Sequence, residues 1–264
     1  MKKDVHFLGW GGLQIQIGSL FAEGHEKMPV ILDWQPGDIR NCSYTPSHGW
    51  IGITAEDRTH GRQALALYDR QKKTTRFLVR DTFVLRHSLN RTGTAISYTQ
   101  PSSRTGSADL FLYDLENDKS HRLGEAVASH GSTPVWFSDD TRLAYHSPQG
   151  RIEVMHVAEG VVETLVEGSG PAVHPDGKSL AFHRGDQLLI YNLLDRTTKS
   201  IQLRRKWLEY GLTNGLSWSP DGYYLSFGFT AGVVGKETDF YLLDHVNQQQ
   251  QRVPIRYLRG LTLI

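Results

Sequence analysis

The sequence predicts an all-β protein folded as a six-bladed β-propeller, and three observations lead to this fold. One ten-residue pattern occurs five times along the 264 residues. Each occurrence is followed by further strand-like segments, so that one repeat holds four strands. The two ends of the chain supply the strands of a sixth unit. Blades of four antiparallel strands that repeat every ~40–50 residues are typical of β-propellers.

The repeat starts with an aromatic or apolar residue, continues through a tight polar turn and ends in apolar residues. Its clearest copy is Trp-Ser-Pro-Asp-Gly-Tyr-Tyr-Leu-Ser-Phe at residues 218–227, followed by Val-His-Pro-Asp-Gly-Lys-Ser-Leu-Ala-Phe at 173–182. A third copy covers 136–145, and two degenerate copies cover 89–98 and 44–53. The anchor residues at the eighth position are 45, 47, 37 and 45 residues apart, namely Ile51, Ile96, Leu143, Leu180 and Leu225.

Each repeat predicts four strands in order. Pro-Asp-Gly favours a tight turn between the first two strands, because proline restricts φ and glycine adopts positive φ without strain. The residues on either side alternate with the period of two that is typical of strands. A third strand follows after a loop, and a polar turn leads into a fourth, such as residues 75–79. The predicted third strands cover residues 64–69, 109–114, 151–156, 188–192 and 239–244.

The chain ends predict the sixth blade. Residues 260–264 resemble the innermost strand of the fifth repeat, Gly-Leu-Ser-Trp-Ser at 215–219. Residues 5–10, 13–17 and 28–32 supply the second, third and fourth strands. Pairing between the C-terminal and N-terminal strands closes the ring and leaves no free inner edge. We therefore predict a single propeller domain across residues 1–264.

Composition and charge exclude several classes of protein. The 29 Lys and Arg against 28 Asp and Glu give a net charge of +1, which argues against a general nucleic-acid or membrane binder. The single cysteine, Cys42, excludes an internal disulfide and any multi-cysteine metal site. No apolar run approaches the ~20 residues of a membrane-spanning helix. The opening residues lack the apolar segment of a secretory signal, so we expect a soluble, cytoplasmic monomer.

The copies at 218–227 and 173–182, with the weaker copy at 136–145, resemble the repeat of TolB-type, WD-like β-propellers. The resemblance covers the whole chain as an architecture. It implies the propeller fold and, most often, a scaffold that binds a protein or peptide. The sequence departs from that family in lacking a signal peptide and the additional domain that usually accompanies this propeller. No TolB-specific function is therefore transferred.

Compact catalytic motifs are absent from the sequence. It contains no Gly-x-Ser-x-Gly elbow, no phosphate loop and no His-Glu-x-x-His pair. The 12 histidines leave open a site assembled from several blades. His87 and His130 are the best placed, because each lies at or just before an innermost strand whose side chains we expect to face the channel. Cys42 also falls in an innermost strand, where burial is the simplest interpretation. We assign no catalytic residue, metal or cofactor.

The strongest candidate site is the mouth of the channel, where loops from every blade converge. Arginines precede the innermost strands of blades one, two and six, which are neighbours in a closed ring. Guanidinium groups bind carboxylates and phosphates well, so this mouth predicts an anionic group or an acidic peptide as ligand. The alternative is that these arginines pair with Asp38 and Asp81. The predicted ligand-binding residues are Arg40, Arg86, His130, Ser132, Asn214 and Arg259.

A second candidate surface is the connection between the fourth and fifth blades, which carries adjacent cations and two aromatic residues. Arginine, tryptophan and tyrosine are frequent anchors of protein interfaces. A solvated turn whose tryptophan folds back over the blade fits the same residues. The predicted partner-binding residues are Arg204, Arg205, Trp207 and Tyr210.

Three functions from different classes fit these observations. The first is a non-enzymatic scaffold that binds a protein or an acidic peptide at the channel mouth. The second is an enzyme, a lyase or hydrolase with or without a metal, built in the channel from several blades. The third is a sensor of a small molecule or carbohydrate that uses the channel. Without a compact catalytic motif, the sequence favours the scaffold, with no nucleic-acid or membrane partner.

Overall fold

In a computed structural model of the chain, the described residues form six small antiparallel sheets. The structure describes residues 5–20, 28–80, 82–203, 211–212, 215–230, 238–253 and 258–264. Within these ranges every regular element is a strand. No helix in this part of the chain is long and apolar enough to cross a membrane.

The first three blades each consist of four consecutive strands. Blade one contains β4 (Ile39–Thr45), β5 (Trp50–Asp57), β6 (Arg62–Asp69) and β7 (Thr74–Val79). Blade two contains β8 (Arg86–Leu89), β9 (Ala95–Pro101), β10 (Ser107–Asp114) and β11 (Lys119–Ser129). Blade three contains β12 (Val135–Trp136), β13 (Arg142–His146), β14 (Arg151–His156) and β15 (Val161–Glu167).

The last three blades complete the ring. Blade four contains β16 (Ser169–Val173), β17 (Ser179–Arg184), β18 (Gln187–Asn192) and β19 (Thr198–Ile201). Blade five contains β20 (Gly211–Leu212), β21 (Ser217–Trp218), β22 (Tyr224–Thr230), β23 (Thr238–Asp244) and β24 (Gln250–Arg252). Blade six contains β25 (Gly260–Leu263), β1 (His6–Gly11), β2 (Gln14–Ser19) and β3 (Met28–Pro29).

This arrangement confirms the predicted six-bladed, all-β propeller and differs from the prediction at two places. In blade five, the innermost position is divided between β20 and β21, which both pair with β22. In blade six, β3 contains only Met28 and Pro29 instead of the predicted residues 28–32. Proline has no N–H group to donate to a ladder, and it is therefore found at strand ends and sheet edges.

The ring is closed by antiparallel pairing between β25 and β1. The register pairs Phe7 with Leu263 and Gly9 with Leu261. The leucines of β25 are buried in an apolar cluster with Phe240 of blade five. The C-terminal strand therefore joins the N-terminal strands in one sheet and also packs against the preceding blade.

Apolar clusters fill the interfaces between neighbouring blades, and the repeat tryptophans contribute to them. Trp136 and Trp218 are both buried. Their indole N–H groups donate to the Ser88 carbonyl and the Ala172 carbonyl of the preceding innermost strands, each at 3.1 Å. This placement confirms that these aromatic residues pack between blades.

The interface between blades one and two contains a buried histidine. His87 follows Arg86 in β8, and successive strand residues face opposite sides of the sheet. Its Nδ1 atom lies 2.6 Å from Thr54 Oγ1 in blade one. A Cβ atom at Gly52 would lie 2.6 Å from its Nε2, so only glycine leaves room for the ring. The expectation that His87 faces the channel is therefore wrong, because the alternation turns it into the interface.

The closing strand generates the first stability prediction. Leu263→Ala removes a side chain that is only 4% exposed between blades five and six. We expect the free energy of unfolding to fall by about 2–5 kcal/mol, as for other buried leucines. Leu13→Ala, at a leucine that is 55% exposed in the same blade, should change it by less than ~1 kcal/mol. Equal losses in the two variants, measured by urea unfolding, would contradict the closing role of β25.

The buried histidine generates a prediction about pH. Burial lowers the pKa of His87 to about 3, whereas an unfolded histidine titrates near ~6.5. Between these values only the unfolded state binds the proton, so stability decreases as the pH falls below about 6.5. From pH 6.5 to 5, His87→Gln should lose roughly 2 kcal/mol less stability than the native protein.

The measurement is urea unfolding at a series of pH values. The slope of the unfolding free energy against pH is compared between variants, so that a pH-independent destabilisation by the substitution cancels. His121→Gln, at an exposed position, is the control and should keep the native slope. Identical slopes in the native protein and in His87→Gln would show that His87 is not the buried neutral group.

Candidate functional site

A cavity of about 300 Å³ lies where the innermost strands begin. All six blades contribute to it, because the start of each innermost strand lies next to the central axis. Its lining includes three of the predicted arginines and Ser132. Among the described residues that line it, none is an aspartate or a glutamate. The described part of the wall therefore has a positively charged side without a carboxylate.

Two of the arginines are joined by one carboxylate at the rim of this cavity. Arg259 Nη1 lies 2.6 Å from both carboxylate oxygens of Asp38. Arg40 Nη1 lies 3.0 Å from Asp38 Oδ2. Arg259 belongs to blade six and the other two residues to blade one, so this ion-pair bridge spans the closed seam of the ring. The predicted alternative of pairing with Asp38 is thus realised for these two arginines, and Asp81 lies outside the described residues.

The third arginine, Arg86, has a different environment. Its Nη1 donates to the Leu85 carbonyl at 2.9 Å. Among the residues that the structure describes, no carboxylate forms an ion pair with it. Burial and the nearby Arg40 lower the pKa of Arg86, but a guanidinium stays protonated at neutral pH. Arg86 is therefore a half-buried cation. Most of its N–H donors have no hydrogen-bond partner among the described residues.

The wall across from the arginines is polar and uncharged. Ser132 is buried, and its Oγ accepts a hydrogen bond from the backbone N–H of His146 at 2.8 Å. Burial lowers the pKa of His146, so its imidazole is neutral at pH 7. Thr133 belongs to the same wall, whereas Thr262 lies in β25 on the side of Arg259. This wall offers hydrogen bonds to a ligand that the arginines attract by charge.

The sequence analysis did not predict His146, because it considered only residues at or before the innermost strands. It ends β13, the second strand of blade three. Because β12 and β13 are antiparallel, the end of the second strand returns to the level where the innermost strand begins. Antiparallel pairing itself is the signal that would have found it, since every second strand of a blade ends at the mouth.

Of the remaining predicted site residues, only His130 is in the described part of the chain. His130 is exposed, and its backbone N–H donates to the Gly106 carbonyl at 3.0 Å. It is not among the residues that line the cavity. Asn214 lies outside the described residues, and so do the predicted partner-binding residues Arg204, Arg205, Trp207 and Tyr210.

A second cavity, of about 620 Å³, lies at the far end of the channel and is lined by turns that follow the innermost strands. Its volume is within the ~300–1,000 Å³ of small-molecule sites. Val135 lines both cavities, so the two meet along the axis. His174, in this second lining, is held by Asp176 with Nδ1 2.8 Å from Oδ1. Among the described residues of this lining Arg91 is the one arginine, so the far end lacks the cluster of arginines found at the first cavity.

Metal-binding side chains are not grouped in the described part of the chain. No set of three or more His, Cys, Asp or Glu residues there could hold a metal ion. Cys42 packs in an apolar cluster with Ile39 and Ile51, and burial raises the pKa of its thiol. Its side chain is therefore a packing element rather than a reactive thiolate.

No protein-family model matches the sequence, and no curated protein matches it. Solved structures do match its fold. TolB from Acinetobacter baumannii aligns with a TM-score of 0.76 at 14% identity, over 98% of this chain and 66% of that one. The chain thus spans slightly less than two thirds of that TolB. A putative TolB from Agrobacterium tumefaciens aligns with a TM-score of 0.72 at 15% identity, over 93% of this chain and 89% of that one.

A structure of a nidogen/laminin complex also matches, with a TM-score of 0.68 at 11% identity over 98% of both chains. At these identities the likeness is one of fold. With six antiparallel blades, a blade shared between the two chain ends, and matches along nearly the whole chain, the protein has the fold of the TolB-type β-propellers.

Proposed function

We propose that this protein is a binding scaffold that holds an anionic group of a protein or peptide partner in the arginine-lined cavity. One observation carries the proposal: arginines from three neighbouring blades converge on a cavity whose lining, as far as the structure describes it, contains no carboxylate. Charge-assisted hydrogen bonds from guanidinium to carboxylate are stronger than neutral ones, and a concave site screens them less than bulk water does. The propeller supports this role because its rigid blades hold the arginines in place.

The chemistry of the facing wall supports binding rather than catalysis. Ser132 is held by the backbone N–H of His146 and not by its imidazole. This contact orients the hydroxyl but does not activate it as a nucleophile, which would require a base at its proton. A neutral wall of hydroxyl groups suits a ligand that needs hydrogen-bond partners for its remaining polar atoms.

The size of the cavity limits which part of the proposed partner can enter it. A cavity of about 300 Å³ is at the lower limit of the ~300–1,000 Å³ of ligand pockets. It therefore has room for a small protruding part of a partner, and the surrounding rim supplies the rest of the contact. The cytoplasmic location, the monomeric state and the absence of a nucleic-acid partner remain predictions from the sequence.

Charge reversal at the cavity tests the proposal once a partner has been recovered from the native lysate. Removing one charged contact, as in Arg86→Gln, should weaken binding by about ten- to a hundredfold, measured by calorimetry. The triple variant Arg40→Glu, Arg86→Glu, Arg259→Glu should abolish binding, because it replaces attraction by repulsion. The triple variant also loses the ion pairs of Asp38 at the seam and should melt at a lower temperature, so circular dichroism below its melting transition must show that it is folded before binding is compared.

The matched control is Arg196→Glu, which reverses one charge on the turn between β18 and β19, at the opposite end of the blades. Arg196 pairs with Glu163 on the outer part of the ring, so this variant should bind the partner normally. Unchanged affinity in a folded triple variant would refute the proposal and would direct attention to the connection that carries Arg204 and Trp207.

A further inference from the structure

The ion pairs around the cavity leave one arginine for a ligand. Asp38 already accepts from Arg259 and lies 3.0 Å from Arg40, so it occupies the position between these two guanidinium groups. Arg86 has no such carboxylate among the described residues, and its Nη1 donates to a backbone carbonyl. Of the three arginines, Arg86 is therefore the one that no described carboxylate engages.

We infer that the cavity binds a single carboxylate group, seated on Arg86, and that Asp38 occupies the position between Arg40 and Arg259 that a second carboxylate would take. This inference rests on the proposed function and specifies its ligand. A run of acidic side chains would need several unpaired cations, because each desolvated carboxylate without a partner is unfavourable. A single carboxylate matches the one guanidinium that no described carboxylate engages.

The geometry of Arg86 suits this ligand. A guanidinium has five N–H donors in a planar fork, and a carboxylate accepts two of them side by side. The contact with the Leu85 carbonyl uses Nη1, which leaves donors on the other nitrogens. The hydroxyl groups of Thr133 and Thr262 belong to the same lining and can donate to a carboxylate oxygen. The cavity thus combines one strong anchor with neutral donors.

Asp38 is a carboxylate of the chain itself that two arginines at the rim already bind. It lies between Arg40 and Arg259, at the seam between blades one and six. A second carboxylate of a ligand at this position would meet the negative charge of Asp38 at short range. Asp38 thus acts as an internal competitor for any further acidic group, and its removal should open a second anion position.

Two chemical sources can provide one carboxylate: the C-terminus of a peptide, or an aspartate or glutamate side chain on a protruding loop. Both offer the same group to Arg86. Three short acetylated peptides separate them, one with a free C-terminus, one with an amidated C-terminus, and one that is amidated but contains an internal glutamate. Binding of the first alone identifies a chain end, and binding of the third identifies a side chain.

The number of charges is tested with small probes on the full chain at constant ionic strength, using acetate for one carboxylate and succinate for two. Calorimetry should give the native protein affinities for the two probes that agree within about threefold. In Asp38→Asn, succinate should gain roughly tenfold while acetate changes by less than about threefold, because Arg40 and Arg259 become available. In Arg86→Gln, both probes should lose at least about tenfold.

Arg86→Lys is a second variant for the case that Arg86→Gln does not fold. It keeps the positive charge but replaces the planar guanidinium by an ammonium group. It should retain weakened binding, about three- to tenfold below native. The control variant Arg196→Gln should leave both affinities unchanged. Melting temperatures identify any variant that is not folded.

The inference is overturned if the native protein binds succinate tenfold or more above acetate, if Asp38→Asn does not favour succinate, or if neither probe binds. These outcomes are distinct from failure of the proposed function. If the triple charge reversal abolishes partner binding while native protein prefers succinate, the scaffold function stands and the single-carboxylate site falls. If neither probe binds and the triple variant still holds the partner, both fall.

Discussion

Closure of the ring by β25 and β1 is the constraint on which the rest of the structure depends. Each innermost strand has one edge that points to the neighbouring blade instead of to a strand in its own sheet. Side chains of the adjacent blade cover these edges: Asn41 Oδ1 accepts from the His87 N–H, and Ser217 Oγ accepts from the Leu263 N–H. Each of these contacts needs the neighbouring blade in place, because a buried backbone N–H group needs a partner.

The same closure creates the candidate site. Asp38 and Arg259 are 221 positions apart in the sequence, yet Arg259 Nη1 lies 2.6 Å from the Asp38 carboxylate. The chain reaches this arrangement only when the last strand enters the first sheet. The proposed binding at the cavity therefore depends on closure of the ring, since loss of the seam would separate Arg259 from the other two arginines.

Local charge, rather than net charge, distinguishes this cavity. The chain as a whole carries a formal charge of +1, which gives no long-range attraction for anions. At the mouth, however, three guanidinium groups face one carboxylate at the rim. Arg86 is half-buried beside them, where screening by water is weaker than at the exposed surface. A nearly neutral protein can thus hold an anionic group at one point without binding polyanions over its whole surface.

The sequence by itself determined the number of blades, the positions of most strands and the three arginines at the mouth. These features are local: alternation, turn residues and repeat spacing depend on neighbours along the chain. Only the tertiary structure decided that Asp38 pairs two of the arginines, that His87 fills an interface and that His146 joins the mouth. Each of these depends on the packing of one blade or strand against another, and a repeat pattern read along one chain contains no information about such contacts.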